Sequence, residues 1–109
     1  MNMAVVESPK LTDTAGTSPG DAADAKHRAD AHIAGLRARI DEIDRTLIEL
    51  WRERAAISHE VGQTRVAAGG TRLVLAREQE ILSRFRAELG ADGTQLAMLI
   101  LRAGRGPLV

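Results

Sequence analysis

From Ile33 onward the apolar positions of the chain fall in alternating steps of three and four: Ile33, Leu36, Ile40, Ile43, Leu47, Leu50, Ile57 and Val61, with Arg54 holding one place in the series. That spacing is one face of an α-helix. It predicts a long helix that stops at Ala68-Gly69-Gly70, where glycine supplies the left-handed residue that closes helices. Thr71 to about Val74 then form a short connection. A second helix is predicted from about Leu73 to Leu89, with Val74, Glu78, Ile81, Leu82, Phe85 and Leu89 on one face and Gly90 as its stop. Asp92 opens D-G-T-Q, an N-cap followed three residues on by Gln95, and Leu96, Leu99, Ile100 and Ala103 carry the period into a shorter third helix. That helix runs out at Gly104-Arg105-Gly106-Pro107, ahead of a flexible tail. With no strand pattern and no internal repeat, the class is all-α: one long helix and two shorter ones.

Residues 1–30 lack this period. The stretch ESPKLTDTAGTSPG has the Ser, Thr, Pro and Gly content of a disordered tail, and DAADAKHRADAH after it forms a helix-capable but frayed lead-in. The folded domain is therefore assigned to residues 31–109. At 109 residues overall, such a domain buries little apolar surface, so an oligomer is expected. Without cysteine, neither disulfides nor thiolate metal sites can reinforce it, which fits a cytoplasmic protein. Net charge is zero and Trp51 and Phe85 are the only aromatic residues, which disfavours nucleic-acid binding. No basic leader precedes a long apolar run and no span of about 18 apolar residues occurs, so neither secretion nor a membrane span is expected.

The long helix carries an anomaly in its packing face. Shifted one residue round the cylinder, the stripe reads Arg37, Ile40, Asp44, Leu47, Trp51, Arg54, Ser58, Val61 and Arg65. Three guanidinium groups lie on or beside a face that must pack, and burying one without a carboxylate or phosphate partner is costly. At about 1.5 Å per residue, Arg54 and Arg65 stand roughly 16 Å apart, within joint reach of one ligand, whereas Arg37 is roughly 26 Å from Arg54. Arg37 reaches that ligand only from a second chain. Two long helices packed antiparallel about a two-fold axis near residue 48 bring Arg37 of one subunit level with residues around 59 of the other, burying the stripe and making two symmetric pockets. In the second helix Glu78 replaces an apolar residue just as Arg54 does in the first. It either pairs with Arg54 or accepts a hydrogen bond from a ligand hydroxyl. Several arginines and one carboxylate, with no nucleophile and no histidine pair at ligand spacing, suit a small polyanion bearing a hydroxyl and a chemistry of charge placement, with neither metal nor cofactor. His59 points away from Arg54 and reads as a solvated residue.

LRARIDEIDRTLIELWRERAAISHEVGQTR, followed by TRLVLAREQEIL and closed by LRAGRGPL, resembles the all-helical chorismate mutases, in particular their short actinobacterial-type intracellular subclass. The resemblance spans about Leu36 to Val109. It implies an intertwined antiparallel homodimer that converts chorismate to prephenate in phenylalanine and tyrosine biosynthesis. It also implies roles: Arg37 reaches across the dimer, Arg54 binds a substrate carboxylate, Arg65 faces the ether oxygen, Arg77 is a further polar pocket residue and Glu78 accepts the ring hydroxyl. Val74 stands where some relatives carry an aspartate, leaving only a backbone N–H contact, and the third helix shows no match to a glutamine that elsewhere faces the ether oxygen. The subclass implies a catalyst weak in isolation and activated by 3-deoxy-D-arabino-heptulosonate 7-phosphate synthase (DAHP synthase), docked through Val66–Val74 and Gly104–Val109. Two rivals remain on sequence grounds: an isochorismate pyruvate-lyase, and a non-catalytic helical regulatory dimer.

Overall fold

A computed structural model describes residues 18–106, which form three helices: α1 (Pro19–Ala67), α2 (Leu75–Leu89) and α3 (Ala91–Arg105). No strand occurs among the described residues. The chain divides into a unit ending at Asp41, whose described part is the first portion of α1, and a unit from Glu42 that holds the rest of α1 with α2 and α3. The tail composition read over the first 17 residues, and the ending at Pro107, fall outside the described residues.

Helix α1 starts well before Ile33. Ser18 and Asp21 cap each other: the Asp21 N–H donates to Ser18 Oγ at 3.2 Å and the Ser18 N–H to Asp21 Oδ2 at 3.3 Å. Pro19 takes the first helical position, where its missing N–H has no cost. The far end of α1 closes as its sequence predicts. Gly69 adopts φ 90°, its N–H donates to the Val66 carbonyl at 3.0 Å, and the Gly70 N–H donates to the Arg65 carbonyl at 2.8 Å. This pair of bonds satisfies two of the last carbonyls and fixes the backbone of Arg65.

One residue separates α2 from α3. Gly90, at φ 72°, donates its N–H to the Arg86 carbonyl and is at once the C-cap of α2 and the N-cap of α3. Asp92 is therefore not the N-cap predicted for α3. It lies inside the first turn, where its charge still complements the positive end of the helix.

The buried core is small: Ile81 from α2 with Ala97 and Leu101 from α3, flanked by Leu82 and Phe85. The predicted face of α3 needs correction too. Leu96 and Leu99 are exposed, and the buried positions are Gly93, Ala97, Leu101 and Gly104. Small residues face inward because the backbones approach closely: a Cβ on Gly93 would collide with the Phe85 carbonyl, and one on Gly104 with the Ser58 side chain. No residue of α1 is buried. Its apolar positions, from Ile33 (44% exposed) through Leu47 (59%) to Ile57 (54%), face outward.

Candidate active site

A cavity of about 280 Å³ opens among the last turns of α1, the connection to α2, the start of α2 and the end of α3. Among the described residues its charged lining is five arginines, Arg54, Arg65, Arg72, Arg77 and Arg105, against a single carboxylate, Glu78. The helical spacing on α1 supplies Arg54 and Arg65, and the closure at Gly69-Gly70 fixes where the second of them ends. Val74 turns the chain into α2 in extended geometry, φ −122° and ψ 99°, so that Arg77 and Glu78 follow in the first turn, next to the α2 N-terminus and its positive dipole end.

Glu78 does not pair with Arg54. Its partner is Arg105, which donates from Nε to Oε2 at 2.7 Å and from Nη2 to Oε1 at 3.2 Å. The two side chains are 18% exposed each, and this two-point pairing is the strong form of a guanidinium–carboxylate contact. The hydrogen bond to Glu78 outweighs partial burial and raises the Arg105 pKa above its ordinary value. Arg72 donates from Nη1 to the Arg105 carbonyl at 3.2 Å, joining the α1–α2 connection to the end of α3.

Arg54 is in the opposite situation. Burial first, then the neighbouring charges of Arg77 and Arg84, lower its pKa. Among the described residues no carboxylate pairs with Arg54 or Arg65, and Arg77 reaches only Glu80, at 3.9 Å on the open surface, a contact of little energetic weight. Crowded cations held near one another, with a single acid already engaged, form a receptor for an anion.

The structure thus brings together Arg54, Arg65, Val74, Arg77 and Glu78 in one cavity. Arg37 lies exposed in the first unit, outside the residues lining it. His59, read as solvated, is exposed but does line the cavity. Arg72 and Arg105 were missed. Both sit in glycine-flanked or loop segments that read as flexible, and the one available signal was a cation in the last turn of a helix, where it complements the dipole. No group of three or more potential ligands that could hold a metal ion occurs among the described residues, and no described helix is long and apolar enough to cross a membrane.

Fold and site together define an all-helical protein with an arginine-rich pocket. The model of the family "chorismate mutase type II" matches residues 36–100, and the chain belongs to that family. It is 47% identical over 76 residues to an intracellular chorismate mutase of Mycolicibacterium smegmatis, covering 70% of this chain and 73% of the relative. It is 48% identical over 76 residues to an intracellular chorismate mutase of Mycobacterium bovis, covering 70% and 71%. Among solved structures it is similar, at a TM-score of 0.72 and 43% identity, to a chain in a non-covalent complex of DAHP synthase and chorismate mutase from Corynebacterium glutamicum with bound transition state analog, covering 74% of this chain and 98% of that one.

Proposed function

We propose that the chain catalyses the pericyclic rearrangement of chorismate to prephenate, an isomerase reaction in phenylalanine and tyrosine biosynthesis. The observation that carries this reading is the convergence of Arg54, Arg65, Arg77 and Glu78 on one cavity. Chorismate has two carboxylates, an enolpyruvyl ether and a ring hydroxyl. Arg54 and Arg77 hold carboxylate charge so that the side chain lies over the ring in a near-attack conformer. Negative charge grows on the ether oxygen as its bond to carbon breaks, and Arg65, a fixed cation there, binds the transition state more strongly than the ground state. Glu78 accepts the ring hydroxyl and Val74 contributes its backbone. Neither a covalent intermediate nor a cofactor is needed.

The catalytic unit in this reading is an antiparallel, intertwined homodimer. The outward-facing apolar stripe of α1 supports it, since exposed apolar surface on that scale marks an interface, and Arg37 then reaches the partner subunit's pocket. The solved complex of a chorismate mutase with DAHP synthase supports a second association, with DAHP synthase docking on Val66–Val74 and on the C-terminal segment from Gly104. An intracellular relative and the absence of cysteine support a cytoplasmic setting, where an isolated chain of low activity is activated by the synthase.

The test follows the ultraviolet loss of chorismate, with product identification, for the protein alone and with its cognate synthase. Slow prephenate formation accelerated by the synthase is the expected result. With isochorismate supplied in a parallel arm, release of salicylate and pyruvate would establish the lyase instead, and no turnover in any arm would leave the regulatory dimer.

A further inference from the structure

Glu78 poses a problem of charge. A pocket that binds a dianion gains nothing from a free carboxylate in its wall: a like charge at hydrogen-bonding range costs on the order of a hundredfold in affinity even with partial screening. A hydroxyl of the ligand nevertheless needs a strong acceptor.

We propose that Arg105 resolves this conflict as the positioning residue of the site, its two-point pairing with Glu78 cancelling the carboxylate's charge towards the substrate while aiming its free lone pairs into the cavity. The inference rests on the chorismate mutase reading above. A carboxylate offers about four lone-pair directions. Arg105 takes one on each oxygen, through Nε at 2.7 Å and Nη2 at 3.2 Å, so each oxygen keeps one for a hydroxyl. The planar guanidinium also fixes the rotation of the Glu78 carboxylate, which a single point charge would not do.

Arg105 is itself held from several sides. Its Nη1 donates to the Gly106 carbonyl at 3.2 Å, and its own carbonyl accepts from Arg72 at 3.2 Å. The Gly106 N–H closes α3 on the Arg102 carbonyl at 2.8 Å, and Gly104 packs against Ser58 with no room for a Cβ. The end of α3 is thereby pressed onto α1 and tied to the α1–α2 connection, which leaves the Arg105 side chain a defined origin from which to reach Glu78. Arg72 acts one step further out, through the Arg105 backbone.

The test is a set of variants of the full chain, Arg105→Gln, Arg105→Lys, Glu78→Gln and the double variant Glu78→Gln with Arg105→Gln, measured for kcat and KM on chorismate after circular dichroism has confirmed folding. Arg105→Gln takes from Glu78 its hydrogen-bonded cation and is expected to raise KM by at least about tenfold. Adding Glu78→Gln to it removes the repulsion, so the double variant's KM falls back towards that of Glu78→Gln alone. Arg105→Lys restores the charge without the two-point grip: KM stays within about threefold of wild type while kcat falls several-fold. Additive effects in the double variant, or a lysine variant with KM as poor as the glutamine variant, would overturn the proposal. If Arg105→Gln does not fold, the lysine variant decides, since a raised KM with unchanged kcat contradicts the assigned role. A wild-type chain that forms no prephenate, alone or with the synthase, removes the chorismate mutase reading and this inference with it, whereas an active wild type with indifferent Arg105 variants removes the inference alone.

Discussion

The α2–α3 hairpin and helix α1 treat their apolar residues in opposite ways. The hairpin turns small residues inward, Gly93 against the Phe85 backbone and Ala97 beside Leu101 and Ile81, and so makes a tight contact from little material. Helix α1 has a longer apolar series than either and buries none of it. Close backbone approach is enough to lock two short helices joined by one glycine. It leaves the apolar stripe of the 49-residue α1 exposed, which is why the proposed dimer places a second copy of that helix there. The hairpin therefore holds together within the chain, whereas the exposed stripe of α1 is the surface on which the proposed homodimer rests.

The sharpest way to break this contrast is to charge the stripe. Leu47 lies next to the proposed two-fold axis and is 59% exposed. Leu47→Glu sets an unpaired carboxylate against its own copy, and is expected to weaken the dimer by about a thousandfold, on the order of 4 kcal/mol, and to abolish activity with it. Sedimentation across a concentration series measures the first and chorismate turnover the second. A wild-type chain already monomeric at high concentration would refute the interface.

Next in size is the pocket where the two regions meet. Arg65→Ala removes the cation proposed to face the ether oxygen, and kcat should fall about a hundredfold or more, some 3 kcal/mol, with a smaller rise in KM. Steady-state kinetics separate the two effects, and unchanged turnover refutes the role.

How much of this was legible depended on which signals were local. The end of α1 could be read from Gly69-Gly70 because the closing motif lies within a few residues. Its start could not, since Ser18-Pro19-Gly20-Asp21 has a linker's composition and becomes a cap only through two reciprocal hydrogen bonds. The buried face of α3 was hidden because Gly93, Ala97 and Gly104 carry no hydrophobic signal and are selected by backbone distance. In the site, Arg54 and Arg65 stood out as charges interrupting a period, and Glu78 did so in the same way. Arg105 interrupts no period. Its place is set by the packing of α3 against α1 and by Glu78, 27 positions earlier in the chain.

Arg54 sharpens the contrast between stability and binding. Its lowered pKa reflects burial and then repulsion from Arg77 and Arg84, so its charged form opposes folding at every pH below its folded-state pKa. A guanidinium stays charged throughout the working range, and the penalty is therefore constant, with no step in stability between about pH 6 and 9. Arg54→Leu should raise Tm by about 3–5 °C while raising KM by at least about tenfold through the lost carboxylate contact. Thermal unfolding and kinetics on one preparation test both signs. A variant that is less stable would mean that Arg54 already has a compensating contact within the folded chain.

The smallest expected effect returns to helix ends. Helix α1 opens on the reciprocal Ser18–Asp21 cap, whereas α2 opens on Val74, which makes no side-chain capping bond. The Val74 backbone is already extended, as an N-cap requires, and its carbonyl accepts the Glu78 N–H at 3.1 Å. Only the side-chain acceptor is missing. Val74→Asp supplies one to the free N–H groups of the first turn and places negative charge at the positive end of the helix, for a gain of about 1 kcal/mol. The opposing term is the loss of a half-buried isopropyl group, worth less than full burial of a valine because half of it already meets water. The two terms largely offset each other, and Tm should rise by no more than about 2 °C. A lowered Tm would mean that Val74 packs against the end of α1 more strongly than its exposure indicates, and that the start of α2 is held from its side chains and not from its cap.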